Sequence, residues 1–301
     1  MSGAPHIFDR ALLRQRRART ALAGSGPDFL LERFSEDVTD RLAFIQRTFR
    51  DVLVVGAHGG RIAAKLQSVH QFEHLVETET VAEMLSGQAG GAGVVADEEA
   101  LPFAPGSFDL VVAGPTFQFV NDLPGVLMQI RQALRPDGLF LGGLFGGTTL
   151  TELRQAWIAA ETEVRGGVSP RVSPFADVRD LGGLLQRAGF ALPVVDADVF
   201  KVRYGSALAL MQDLRAMGAG NVMVDRSRTP VSRRLLGRAV EIYADRFADP
   251  DGRIPATFEL LVMTAWSPHE SQQKPLKPGS ATARLSDALG VAEGRLKHRG
   301  D

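Results

Sequence analysis

The chain has 301 residues, 45% of them hydrophobic and 23% charged, an ordinary composition for a globular protein with length enough for its own core. The formal net charge of -1 supplies no basic field to attract nucleic acid. The absence of cysteine excludes disulfides, thiolate nucleophiles and thiolate metal sites, and no apolar run approaches the roughly 20 residues that span a bilayer.

Near the start, Arg10, Arg14, Arg16, Arg17 and Arg19 are opposed only by Asp9. An organellar transit peptide has this look. The favoured reading is a basic amphipathic helix, with Ile7, Leu12 and Leu13 as its apolar side and the arginines solvated or touching an acidic partner. Residues 1–50 are expected to be a helical extension. Ser25 or Asp28 could cap a helix there, and Leu30, Leu31, Phe34, Val38, Leu42 and Ile45 recur near helical spacing.

Val52 to Val55 is a short apolar strand of the kind buried on both faces of a parallel sheet. Gly56-Ala57-His58-Gly59-Gly60 turns the chain, and Arg61 to Gln67 reads as a helix. A second strand is expected over His70 to Val76, a helix over Thr80 to Leu85 and a loop over Gly87 to Gly93. Val94-Val95, Leu110 to Ala113 and Leu139 to Leu144 supply further strands. Leu123 to Leu134 reads as a helix stopped by Arg135-Pro136-Asp137-Gly138. Thr149-Leu150-Thr151-Glu152 has the form of a capping box opening a helix to about Val164. Arg165 to Phe175 is a loop or lid. Asp177 to Ala188, Leu208 to Met217 and Arg233 to Phe247 read as helices; Val194-Val195, Val199 to Tyr204 and Pro255 to Trp266 read as strands. From Ser267 the tail is expected to be irregular. Alternating strands and helices with short turns predict an α/β fold with a doubly wound, mostly parallel sheet.

Such folds hold ligands outside the carboxyl ends of their strands. The glycine loop, with Gly56, His58 and Gly60, lets backbone approach a ligand, although His58 stands where a middle glycine would be expected. An acid near the end of the second strand, Glu77 or preferably Glu79, would accept ribose hydroxyls. Asp97, followed by Glu98, would accept an adenine amino proton; the competing role for this cluster is helix capping. The loop from Ala113 to Asp122 would face the reacting end of a ligand. It offers Thr116, Gln118, Asn121 and Asp122, with the last two better suited to capping the next helix. No His-x-Asp or His-x-Glu occurs, and His70 and His74 lie in or beside a strand, so no metal site is expected.

Asp97-Glu98-Glu99-Ala100-Leu101-Pro102-Phe103, Ser107-Phe108-Asp109 and Leu134-Arg135-Pro136-Asp137-Gly138 resemble segments of class I S-adenosylmethionine (SAM) methyltransferases. A narrower resemblance covers about residues 7 to 282. Its motifs are Ile7-Phe8-Asp9-Arg10, Val120-Asn121-Asp122-Leu123-Pro124, Leu144-Phe145-Gly146-Gly147, Glu152-Leu153-Arg154, Ser173-Pro174-Phe175, Arg187-Ala188-Gly189-Phe190, Pro255-Ala256-Thr257 and His269-Glu270-Ser271-Gln272. The chain is thereby similar to the methyltransferase-like fifth assembly factor of respiratory complex I, NADH:ubiquinone oxidoreductase.

The resemblance implies a Rossmann-like, seven-stranded methyltransferase fold. It also implies SAM as cofactor, a complex I subunit as protein partner, and methylation or hydroxylation of an arginine on it, with Glu161, Glu163 or Asp122 as possible carboxylate partners of that arginine. Residues 51–266 would be the methyltransferase-like domain, with a lid and helical insertion over 165–250, and 267–301 the tail. Ile7-Phe8-Asp9-Arg10 resembles the start of the mature family domain, so a bacterial, cytoplasmic member without a presequence is expected, at most peripheral to the inner membrane. Four positions depart from the family pattern: Val54 replaces an acid, His58 a glycine, and Gln118-Phe119 a His-Trp pair. A side chain where backbone should meet ligand costs about 1–3 kcal/mol, or roughly 5- to 150-fold in affinity. A weak or lost SAM site, and so a non-catalytic assembly chaperone, is the alternative; a small-molecule carboxyl methyltransferase is a third reading.

Overall fold

The computed structural model describes residues 6–24, 26–85 and 91–273. Ser25, part of the loop expected over Gly87 to Gly93, and most of the tail lie outside these. The chain divides into two compact units, Met1–Pro268 and His269–Asp301. Of the second, only the short turn at 269–273 is described; there the His269 imidazole nitrogen Nδ1 lies 2.7 Å from the Ser271 hydroxyl.

The first unit is built on a seven-stranded sheet. Its strands are β1 (Asp51–Val55), β2 (His74–Glu79), β3 (Ala92–Val95), β4 (Phe108–Ala113), β5 (Leu134–Phe145), β6 (Ala191–Tyr204) and β7 (Ile254–Trp266). They lie in the order β3-β2-β1-β4-β5-β7-β6. The first five run parallel, and β7 is antiparallel to both β5 and β6. The helices are α1 (Arg10–Ala23), α2 (Phe29–Phe44), α3 (Arg61–Val69), α4 (Leu123–Ala133), α5 (Thr151–Arg165), α6 (Val178–Arg187), α7 (Ala207–Ala216) and α8 (Arg233–Phe247).

The sheet is covered on both faces, which is why its central strands are continuous apolar runs. Val52 and Val54 of β1 pack into a core with Phe34, Val38 and Leu42 of α2, Ile62 and Leu66 of α3, and Tyr243 of α8. Leu53 and Val55 face the other way, into a core with Val126, Leu127 and Ile130 of α4 and Leu181 and Leu185 of α6. A third, small cluster stands apart: Phe8, Leu13, Phe119, Val222 and Met223, with Leu12 against it. It anchors the N-terminal stretch.

Several expectations need correction. The second strand begins at His74 rather than His70 and continues through Glu79, because Glu77 and Glu79 are buried strand residues. The helix expected over Thr80 to Leu85 is a single turn at Ala82–Met84. The two strands expected between Val194 and Tyr204 are one, with an irregular register between Ala191 and Val194 where Leu192 takes a φ of 50°. The capping box does not form. Leu150 precedes α5 in the left-handed conformation, and the Glu152 carboxylate instead accepts the Thr257 N–H (3.1 Å) and hydroxyl (2.5 Å) from β7.

Candidate active site

The order reverses between β1 and β4, and the crevice outside their carboxyl ends is where an open α/β sheet places a ligand. Gly56 leaves β1 with a φ of 79°, and its N–H and that of Ala57 both donate to the Thr78 carbonyl at 3.0 Å, tying the glycine loop to β2. A Cβ at Gly56 would lie 2.9 Å from the Thr116 methyl, so only glycine fits. Gly60, with a φ of 78°, opens α3. His58 also sits in the left-handed region, at a φ of 48°, which costs a non-glycine residue about 1–2 kcal/mol.

The His58 ring is turned into the crevice. Its atoms lie 3.0–3.4 Å from where Cβ atoms would stand on Gly56 and Gly114, and its Nε2 is buried with no hydrogen-bond partner. Burial, reinforced by the Arg17 charge, pushes the imidazole down to about 4, so it is neutral at pH 7. Ala113 ends β4, fully buried beside Val55, and serves as wall. Gln118 donates its amide to the Pro115 carbonyl at 2.7 Å and leaves its buried carbonyl oxygen unpartnered.

The expected acids converge, but they are already engaged. Glu79 is 2% exposed; it accepts the backbone N–H of His58 at 3.0 Å and of Thr80 at 3.2 Å, and lies 3.7 Å from the Arg17 guanidinium. Burial pushes its carboxyl up, against the pull of Arg17. Glu98 meets Arg17 at 2.8 Å, the Thr116 hydroxyl at 2.5 Å, and Arg10. Burial alone would raise the Glu98 carboxyl, yet Arg17 and then Arg10 hold it at about 2. Asp97 binds Arg10 at 2.6 Å and Arg14 at 3.1 Å, and also accepts the Glu99 N–H. Arg17, 6% exposed, completes its shell on the Thr80 and Thr116 hydroxyls at 2.9 and 2.6 Å.

The arginines of the extension therefore do touch an acidic partner, and that partner is the crevice itself. Sequence reasoning missed Arg10, Arg17 and Thr80 as site residues; Thr116, expected at the reacting end of a ligand, instead bridges Arg17 and Glu98. Arg10, Arg14 and Arg17 recur at helical spacing on one side of α1, the one signal that they act together.

Asp122 caps α4, accepting the Gly125 N–H at 2.9 Å. Asn121 pins the N-terminal stretch, accepting the N–H groups of Ile7 and Phe8 at 2.8 Å each. Glu161 is buried and holds Ser169 and Arg171 of the loop after α5, while Glu163 pairs with Arg238 on the surface. Among the described residues no three His, Asp or Glu side chains gather as a metal set, and no helix is long and apolar enough to cross a membrane.

A family profile for the methyltransferase domain matches residues 53–142. The chain is 40% identical over 288 residues, 94% of its length and 89% of the relative's, to "Arginine-hydroxylase NDUFAF5, mitochondrial" of Danio rerio. It is 39% identical to the Homo sapiens protein of the same name, over 94% of this chain and 83% of that one. The chain belongs to the NDUFAF5 family. A malonyl-[acyl-carrier protein] O-methyltransferase of Methylovorus sp. is 30% identical over 89% of this chain and 92% of its own. Among solved structures, a putative methyltransferase from Bacillus halodurans superposes with a TM-score of 0.55 at 15% identity, covering 77% of this chain and 98% of that one. The YcgJ protein of Bacillus subtilis gives 0.53 at 13%, covering 78% and 98%. The fold is that of the class I methyltransferases, as the motifs predicted.

The crevice has the residue types for an adenosyl ligand, but as folded it does not fit one. Arg17 sits on Glu79 and Glu98, Arg10 and Arg14 sit on Asp97, the carboxylate expected to take adenine, and the His58 ring fills space between Gly56 and Gly114.

Proposed function

We propose that this protein acts in respiratory complex I assembly as a SAM-dependent protein that modifies an arginine of a complex I subunit. The observation that carries this is the 40% identity to an arginine-hydroxylase over 94% of the chain, far beyond the 53–142 methyltransferase profile. Similarity to the O-methyltransferase is lower, at 30%, so a small-molecule carboxyl substrate is the weaker reading. SAM is the ligand proposed for the crevice of Gly56, Glu79 and Asp97. Residues 51–266 are proposed as the methyltransferase-like domain, 1–50 as its extension and 267–301 as its tail. Work in the bacterial cytoplasm, against the membrane-bound complex, completes the proposal.

The test is the mass of the subunit arginines in complex I from wild-type cells, from a deletion strain and from that strain complemented. An arginine that loses a methyl group or an oxygen on deletion, and regains it on complementation, supports the reading. Unchanged arginines with failed assembly would leave the second reading, a non-catalytic chaperone. That reading is favoured by the His58 ring and the Arg17 guanidinium standing where a nucleoside would bind.

A further inference from the structure

The carboxylates at the ends of β2 and β3 hold a ligand supplied by the chain itself. Arg17 is buried to 6% exposure, with donors on Glu98, Thr80 and Thr116 and its charge 3.7 Å from Glu79. Arg10 reaches the same Glu98 and Asp97, and also donates to the Phe119 carbonyl at 3.1 Å.

The element that delivers these groups is weakly fastened by apolar contact. Only Leu13 and Arg17 of α1 are buried. Its apolar anchor is the five-residue cluster of Phe8, Leu13, Phe119, Val222 and Met223, separate from both sheet cores. At its far end Gly24 closes the helix with a φ of 93°, a conformation that glycine takes without strain.

Beneath α1 a cavity of about 310 Å³ runs from Arg17, Thr20 and Ala21 to His58, Glu83 and Gln118. This is the lower end of the range for small-molecule sites. Two polar atoms without partners, His58 Nε2 and Gln118 Oε1, belong to residues lining this cavity. Buried polar groups are ordinarily satisfied, so their pairing in one cavity marks a place a ligand completes.

We infer that the pocket of Glu79 and Glu98 is a guanidinium site filled in cis by Arg17, and that an adenosyl ligand enters only when α1 leaves. The helix is a plug: two cationic side chains satisfy the carboxylates in the empty protein, and ribose hydroxyls replace them in the loaded one. The ligand thus binds against a closed resting state, which lowers its apparent affinity by the fraction of molecules that are open. The inference rests on reading the crevice as a nucleoside site and is independent of which group is transferred to the partner.

The test uses the full chain and S-adenosylhomocysteine. Calorimetric titration compares wild type with Arg17→Met, which removes the plug's charge, and with Leu13→Ala, which loosens its apolar anchor and leaves every crevice residue intact. Both variants should bind at least tenfold more tightly. Hydrogen exchange of the wild-type protein should show the α1 amides, residues 12 to 23, exchanging faster when saturating ligand is present. Binding with α1 exchange unchanged or slowed would overturn the plug, since the helix would then be part of the loaded site. Failure of the wild type and both variants to bind would overturn it too. Either failure leaves the arginine masses of complex I free to answer the functional question separately.

Discussion

Replacing Arg17 by methionine keeps most of the side-chain volume and removes the charge. Glu98 would retain Arg10, but Glu79 would lose its cation, and the Thr80 and Thr116 hydroxyls would lose a donor. Removing one partner of a buried ion pair costs about 3–5 kcal/mol. The surviving Arg10 contact places this case at the lower end, about 3 kcal/mol, a fall in Tm of about 6–12 °C for a domain of this size. The loss should depend on pH. Glu79 is already pushed above the ordinary carboxylate range by burial, so its charged form weakens the fold as pH rises through its folded value. Without Arg17 that penalty grows, and the Tm gap between wild type and variant should widen from pH 5 to pH 8. Scanning calorimetry at three pH values measures it. A variant melting within about 1 °C of wild type at pH 8 would refute the assignment of Arg17 as a buried counter-charge.

His58→Gly removes a left-handed non-glycine residue and a ring whose Nε2 is unsatisfied, so relieved strain of about 1–2 kcal/mol should offset the lost packing. Its Tm should stay within a few degrees of wild type while S-adenosylhomocysteine binding tightens by calorimetry. Glu77 is buried with Oε1 unpartnered, and burial, helped by Glu79, raises its carboxyl to about 7. A raised folded value means stability present below the ordinary carboxylate range and lost as pH rises through about 7. Glu77→Gln should therefore stabilise at pH 8 by about 1 kcal/mol, or about 2–4 °C, and by progressively less as pH falls toward the ordinary carboxylate range. Glu161 ties down the loop after α5 through Ser169 and Arg171, so Glu161→Ala should speed tryptic cleavage at Arg165 and Arg171 about tenfold, a local loss of about 1.4 kcal/mol.

Strands buried on both faces were legible because four apolar residues in a row admit few other arrangements, as at Val52 to Val55. Where burial involved charge, the reading slipped. β2 carries Glu77 and Glu79 inside the fold, and hydropathy alone ends such a strand at Val76. β6 lies at the edge of the sheet, and Asp196 and Asp198 in mid-strand look like a loop; they are held by Arg41 and Arg33 of α2. The capping box was a sound local pattern overridden by tertiary contact, since β7 offers Glu152 the Thr257 N–H and hydroxyl.

The crevice was legible through spacing along the chain: a glycine loop after β1, an acid ending β2 and acids after β3. What occupies it was not, because Arg17 meets its partners across 63, 81 and 99 residues of sequence. A helix that buries one leucine and one arginine is not held as the rest of this fold is held. Ion pairs carry much of its attachment; those of Arg17 and Arg10 with Glu98 are buried, so added salt screens them little, whereas protonating the carboxylates at low pH weakens them and leaves the apolar cores nearly untouched. Opening the crevice would change the charge presented to a ligand. With α1 seated, Glu98 and Asp97 are neutralised by Arg10, Arg14 and Arg17. With α1 withdrawn, a row of free carboxylates faces the solvent, suited to ribose hydroxyls and to a cationic sulfonium rather than to an anionic nucleotide. That change of charge would let one fold pass between a closed docking state and an open ligand-binding state without disturbing its sheet.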